Sequence, residues 1–197
     1  LYQIHWPQPE AQIEEGWGTV AELVRAGRVR YAGVSNFSVA QMRRIQPIHP
    51  ITSLQPPYSM LAREVESEIL PFCREQSIGV ICYSPMAKGL LSGRFSADRV
   101  MQLPETDHRR RDPRFQSPRL ERTLAMVEEL RAVAAATGHS VAELALAWTF
   151  HHPAVTAAIV GLRSPGQAEV VAAADWDLDP ATAAAVSRIL GRWEAAP

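Results

Sequence analysis

Residues 79–95 read GVICYSPMAKGLLSGRF, and the first five of them, GVICY, carry no charge and no polar alternation. Such a run predicts a strand buried on both faces, as in a parallel sheet covered by helices. Behind it the chain turns through Ser84 and Pro85 into a connection containing Gly, Arg and Pro that runs to residue 117. That is too long for a routine loop and marks a segment with a function of its own.

The same alternation of strand and helix extends on both sides. Before it, strands are predicted at 1–5, 31–35 and 52–55. Helices are predicted at 11–26, ended by Gly27, at 39–45, capped by Ser38, and at 63–76, where Val65, Ile69, Leu70 and Phe72 fall at helical spacing. After it come a helix at 119–136, broken at Gly138, and a helix at 141–151. Ser140 caps the second, with Glu143 completing a capping box. A strand at 157–160 and helices at 165–174 and 180–193 close the chain.

Strands alternating with helices imply a parallel α/β fold. The choice between an open doubly wound sheet and a barrel rests on the polar residues that follow each strand: His5; Ser35 and Asn36; Gln55; Tyr83 and Ser84; Gly161, Arg163 and Ser164. A barrel brings all its strand ends to one mouth, which suits a site assembled from successive strands. The expected fold is therefore a (β/α)8 TIM-barrel type, incomplete, with about five strand–helix units where a closed barrel has eight of them in ~250 residues. The chain starts at Leu1, inside a hydrophobic segment. It is expected to be a truncated piece of a longer protein, with residues 1–197 forming one domain, the carboxyl-terminal part of the barrel.

Composition narrows the function. The 197 residues are 47% hydrophobic and 21% charged, with a formal net charge of −1. Near-neutral charge argues against a nucleic-acid partner. No apolar run approaches the ~20 residues of a membrane span, and residues 1–20 do not show the pattern of a positively charged start leading into a short apolar run that a signal peptide has. Cys73 and Cys82 form no CxxC pair or disulfide framework, so a cytoplasmic setting is expected. His151 and His152 are adjacent rather than four apart, no metal motif occurs, and no metal is expected. A GxGxxG after a strand and a GxSxG are both missing.

Five segments, LYQIHWPQP, YAGVSNFS, SLQPPYSML, GVICYSPMAKGLLSGRF and AIVGLRSPGQ, occur in the order and approximate spacing of the aldo-keto reductase family, whose strands four to eight the chain resembles from Leu1 to its end. The resemblance implies a metal-free NADP(H)-dependent oxidoreductase that reduces aldehydes or ketones to alcohols by hydride transfer. By it His5 is the catalytic residue that orients the substrate carbonyl, a task imidazole performs by donating from one fixed nitrogen. Trp6 walls the substrate pocket. Ser35, Asn36 and Gln55 bind the nicotinamide carboxamide, whose donors and acceptors match hydroxyl and amide side chains. Ser and Asn also favour turns for their own sake, but turn chemistry does not call for Gln55.

The resemblance further gives Tyr83 as the ring stacked on nicotinamide. It gives Ser84, Pro85, Met86, Ala87, Gly89 and Leu91 as the loop around the pyrophosphate, with main-chain N–H groups aimed at phosphate and Arg94 adding charge. Gly161, Arg163, Ser164 and Gln167 are the segment that receives the ribose 2′-phosphate of NADPH at a helix start. Valines at 170 and 171 depart from the family, which often places Glu and Asn there against adenine. Arg109–Arg111, Arg114 and Phe115 read as a solvated surface that could also fold over the cofactor.

The family's acid–base tyrosine, lysine and aspartate have no counterpart context in the chain. Tyr2 faces opposite to His5, Tyr31 lies at the start of its strand, and Lys88 sits in a loop suited to phosphate. General acid catalysis contributes ~10²- to 10⁴-fold, so the chain alone is expected to turn over poorly. The alternatives are a non-catalytic NADPH-binding module and an inactive fragment. Open sheet edges also predict pairing with another chain that completes or covers the barrel.

Overall fold

The computed structural model describes residues 1–174 and 176–195. It divides into two compact units, one of Leu1–Ser84 with His152–Ile159, the other of Pro85–His151 with Val160–Pro197.

The first unit is built on a five-stranded parallel sheet in chain order, β1 (Tyr2–Ile4), β2 (Ala32–Ser35), β3 (Ser53–Gln55), β4 (Gly79–Tyr83) and β5 (Val155–Ile159). The register aligns Gln3, Gly33, Ser53 and Gly79 across four neighbouring strands. Side chains alternate along a strand, so the odd-numbered residues of β1 to β4 share one face and the even-numbered share the other. The even face is the core: Val34, Leu54, Val80 and Cys82 are each 0% exposed. The odd face carries Gln3, Gly33, Ser35, Ser53, Gln55 and Tyr83. GVICY therefore alternates in burial, half-buried at 79, 81 and 83 and buried at 80 and 82, where sequence predicts burial on both faces. Glycine, isoleucine and tyrosine on the odd face hide that alternation, because none of them is charged.

Helix α1 (Ile13–Arg25) follows a single 3-10 turn, Glu10–Gln12, and buries Ile13, Trp17, Val20 and Ala21 along one stripe. Gly27 takes a left-handed φ of 69° just beyond it, a conformation that a Cβ disfavours. Helix α2 (Val39–Ile45) opens on a capping box, with Gln41 N–H donating to Ser38 Oγ at 3.2 Å and Ser38 N–H to Gln41 Oε1 at 3.0 Å. The helix expected over 63–76 is two pieces, a 3-10 turn Glu64–Glu66 and α3 (Ile69–Glu75). Pro71 is the reason: inside one long helix it would lack its N–H and clash with the carbonyl of Ser67, whereas in the first turn of α3 it is tolerated.

In the second unit the connection after β4 is not an open loop. It is braced into short turns, Ala87–Ser92, α4 (Ala97–Met101), His108–Arg111 and Pro113–Phe115. Side chains of Ser96, Asp107 and Asp112 cap three of them. Then follow α5 (Arg119–Ala136), α6 (Val141–His151), α7 (Pro165–Ala172) and α8 (Pro180–Ala195). Helix α6 is buried from Val141 to Thr149 apart from a half-buried Glu143, which completes the expected capping box by accepting from Ser140 N–H at 2.5 Å. Helices α5 and α8 pack together, with Arg122 donating to the Trp193 carbonyl at 2.9 Å. Among the described residues no helix is long and apolar enough to cross a membrane.

Candidate functional site

The carboxyl ends of β1 to β4 carry a connected polar cluster. β2 ends at Ser35, and Asn36 then takes a left-handed φ of 63°, which asparagine tolerates better than most residues. That turn brings the Asn36 amide back over the sheet. Its Nδ2 donates to the His5 carbonyl at 3.0 Å and to Ser35 Oγ at 3.0 Å, and its Oδ1 accepts from the Tyr83 hydroxyl at 2.9 Å. Ser35 Oγ donates to the Gln55 carbonyl at 2.7 Å, and the Asn36 N–H donates to the same oxygen at 3.2 Å. Tyr83 is followed by Ser84, also left-handed at φ 58°. Backbone contacts tie the end of β4 to the segment after β3, Tyr83 N–H donating to the Pro56 carbonyl at 3.0 Å and Tyr58 N–H to the Tyr83 carbonyl at 3.2 Å. The Ser35, Asn36 and Tyr83 side chains thus form one bonded group, which His5 and Gln55 join through their backbone carbonyls.

Two neighbouring groups have no place in the expectations from sequence. One is a relay beneath Gln55: Gln55 Nε2 donates to Gln3 Oε1 at 3.0 Å, and Gln3 Nε2 donates to Ser53 Oγ at 3.1 Å. A signal for it was there, since Gln3 and Ser53 stand two residues before His5 and Gln55 and so share their face. The other is the buried Tyr58 phenol, which donates to Glu66 Oε1 at 2.8 Å. Glu66 is also clasped by Arg63 at 2.7 Å. Burial first, then the Glu66 carboxylate, raises the Tyr58 phenol far above its ordinary pKa, so it stays a donor.

Trp6 is half exposed, its ring 5.6 Å from that of His5. It lines a cleft of about 330 Å³ with Ile4, Gln8, Gln12, Ile13 and Thr19. The chain's four tyrosines are all placed. Tyr58 and Tyr83 donate to Glu66 and Asn36, while Tyr2 and Tyr31 are 52% and 56% exposed at the opposite ends of their strands from the cluster.

In the second unit, Ala87 and Leu91 are buried side chains and offer only their backbone. The Gly89 and Leu91 amides donate to the Met86 carbonyl, at 2.9 and 3.3 Å, which corrects the expectation that they point at a ligand. Ser92 Oγ locks the same turn by donating to the Gly89 carbonyl at 2.6 Å. Arg94 is exposed and its N–H donates to Ser92 Oγ at 3.2 Å. Lys88 is held by Asp112 at 2.9 Å, and Asp112 also binds Arg114 at 2.6 Å. The Arg114 guanidinium first, with Lys88 adding to it, holds that carboxyl well below the usual range. Arg109 is likewise engaged by Asp107 at 2.7 Å. Arg109 and Arg114 are thus braced by acids on their own segment, while Arg110 donates to the Leu103 carbonyl at 3.1 Å.

Gly161, Arg163, Ser164 and Gln167 are all exposed around the start of α7, which carries Pro165 at its first position. Gln167 Oε1 closes this turn by accepting from Arg163 N–H at 2.6 Å. The Ser164 hydroxyl makes no capping bond, and among the described residues the Arg163 guanidinium has no partner.

Comparison with known proteins agrees with this layout. The profile of the Aldo/keto reductase family matches residues 1–190. Aldo-keto reductase YhdN of Bacillus subtilis (strain 168) is 38% identical over 172 residues, covering 87% of this chain and 51% of that protein. A glycerol dehydrogenase from Gluconobacter oxydans superposes with a TM-score of 0.91 at 35% identity, over 99% of this chain and 59% of that one. A thermostable aldo-keto reductase in complex with the inhibitor epalrestat gives a TM-score of 0.70 at 25% identity, over 95% and 58% of the two chains. The chain thus spans about half the length of the curated relative. With a parallel sheet in chain order, polar residues at the ends of its strands and a profile match across nearly all of its length, the chain belongs to the aldo/keto reductase family.

Proposed function

We propose that this chain is the cofactor-holding, carbonyl-orienting part of an NADP(H)-dependent oxidoreductase that reduces aldehydes or ketones. The observation that supports this most is the hydrogen-bonding capacity left over in the strand-end cluster. After their bonds to one another, Ser35 Oγ and Asn36 Oδ1 each keep one lone pair, and among the described residues Gln55 Oε1 accepts nothing. Three acceptors at the ends of β2 and β3 suit the NH2 of a primary amide such as the nicotinamide carboxamide. When bound, NADPH supplies the hydride. His5 then donates to the carbonyl oxygen and orients it, and the Trp6 indole beside it walls the substrate. The Tyr83 ring, fixed by its bond to Asn36, offers a face on which a flat heterocycle stacks.

Of the second unit's residues, Arg94, Arg163 and Ser164 are proposed as the phosphate ligands. Arg163 supplies paired donors and Ser164 a free hydroxyl at the start of α7. Ser84, Pro85, Met86, Ala87, Gly89 and Leu91 shape the turn, and Gly161 and Gln167 set the conformation that presents Arg163. Residues 1–197 are proposed as one barrel domain that pairs with a further chain or segment, in a cytoplasmic setting consistent with the buried free thiols of Cys73 and Cys82.

A second reading, cofactor binding without turnover, is favoured by the tyrosines. Two have hydroxyls engaged by Glu66 and Asn36, and two lie at the far ends of their strands, so none stands ready as a proton donor beside His5. Titrating NADPH fluorescence against the protein, then adding an aldehyde, separates the readings. Saturable binding followed by NADPH oxidation supports the reductase, and binding without oxidation supports the second reading. No saturable binding overturns both.

A further inference from the structure

The relay beneath Gln55 passes through a gap that the sheet leaves open for it. Gln3 and Ser53 lie on strands separated by β2, and the residue between them in register is Gly33. A Cβ at residue 33 would fall on Ser53 Oγ and stand 3.1 Å from Gln3 Cγ. With no side chain there, Gln3 Nε2 reaches across β2 to Ser53 Oγ at 3.1 Å, and Gln3 Oε1 takes the Gln55 Nε2 proton at 3.0 Å.

This chain of bonds couples the orientation of the Gln55 amide to that of Gln3. A glutamine amide turned by half a rotation exchanges its acceptor for its donor, so a lone Gln55 could present either atom to a ligand. In the relay every bond runs the same way, Gln55 to Gln3 to Ser53, and reversing one member requires reversing Gln3 as well. The direction adopted leaves Gln55 Oε1 outward.

We propose that Gln3 is a positioning residue that holds the Gln55 amide with its oxygen toward the ligand, so that the site selects a hydrogen-bond donor, the carboxamide NH2, at that point. The proposal rests on the reading of Gln55 as a carboxamide ligand. In this role Gln3 acts through Gln55 and not through a contact of its own with the ligand.

The test compares dissociation constants, by fluorescence titration of the full chain, for NADPH and for the reduced 3-acetylpyridine analogue, in which a methyl group replaces the NH2. The readout is the ratio of the two constants, which a general loss of structure does not move. Gln3→Met removes the relay at nearly constant volume. It should weaken NADPH binding by roughly three- to tenfold, the scale of one hydrogen bond, and leave the analogue unchanged, so that the ratio falls to that of Gln55→Leu. Gln3→Glu can only accept. It receives Gln55 Nε2 and the Ser53 hydroxyl, keeps the Gln55 oxygen outward and should retain the original ratio. Should the Met variant not fold, Gln3→Ala removes the same amide without adding bulk. A Gln3→Met or Gln3→Ala protein with the original ratio, while Gln55→Leu has lost it, overturns the role of Gln3 and leaves the reading of Gln55 standing. An unchanged ratio in Gln55→Leu overturns both.

Discussion

Placing a single methyl group at residue 33 probes the packing of the first unit's sheet. The Cβ of Gly33→Ala would collide with Ser53 Oγ, and it would also lie 2.8 Å from the Ser53 carbonyl oxygen. A side-chain rotation relieves the first contact but not the second, because the carbonyl belongs to the neighbouring strand. Overpacking of this kind costs ~1–3 kcal/mol. Restricting the unfolded chain returns ~0.4–1 kcal/mol. The net loss of about 1–2 kcal/mol corresponds to a fall in Tm of roughly 2–8 °C for a chain of this length. Gly79→Ala is the matched control. It lies in the same row of the sheet, but its Cβ would meet nothing closer than 3.5 Å, so its Tm should stay at or slightly above that of the unaltered protein. Thermal unfolding followed by circular dichroism measures both. Adding Ser53→Ala to Gly33→Ala should recover part of the loss and no more, since the carbonyl contact persists. Gly33→Ala and Gly79→Ala proteins of equal Tm would refute the register and the close approach of β2 and β3.

Four other outcomes are expected. Ser38→Ala removes the capping box of α2 and should cost about 1 kcal/mol in urea unfolding, with Ser38→Asp restoring most of it. Tyr58→Phe deletes a buried hydrogen bond to a carboxylate that Arg63 still holds, and should cost roughly 1.5–3 kcal/mol in the same assay. Because Arg114, and then Lys88, depress the native pKa of Asp112, its contribution to stability is complete above the ordinary aspartate value of 3.8 and is lost as the pH falls from there toward the native value. Asp112→Asn should therefore flatten the acid limb of a stability–pH profile and lower the plateau at neutral pH. Burial pushes the thiols of Cys73 and Cys82 up to about 12 and about 11, so a disulfide reagent should find neither in the native protein at pH 7 and both after unfolding.

What the sequence disclosed depended on how local the controlling chemistry is. Helices at 39–45, 119–136 and 141–151 are bounded as expected, because Ser38, Gly138 and the Ser140–Glu143 box act within a turn of the residues they govern. Pro71 also acts locally, and its effect is equally plain once α3 is seen to begin two residues before it. The alternation in β4 was hidden because burial depends on which neighbour covers a residue, and both faces of GVICY are uncharged. Strand-end residues His5, Ser35, Asn36, Gln55 and Tyr83 could be picked out as polar groups after apolar runs. Their bonding pattern could not, since Asn36 meets Tyr83 across 47 residues and Gln55 meets Gln3 across 52. The braced segment around Asp107 and Asp112 read as a basic surface because a count of charges does not show which arginine each aspartate clasps.

On the proposed reading, the ends of β1 to β4 form one surface that binds a nicotinamide carboxamide. A crystal structure of the protein soaked with NADP+ tests it most directly. The carboxamide NH2 should lie within hydrogen-bond distance of Gln55 Oε1 and Asn36 Oδ1, with the pyridine ring against Tyr83. Density for the nicotinamide elsewhere, with Ser35, Asn36 and Gln55 bonded only to the protein as they are without it, would rule this surface out as the carboxamide site.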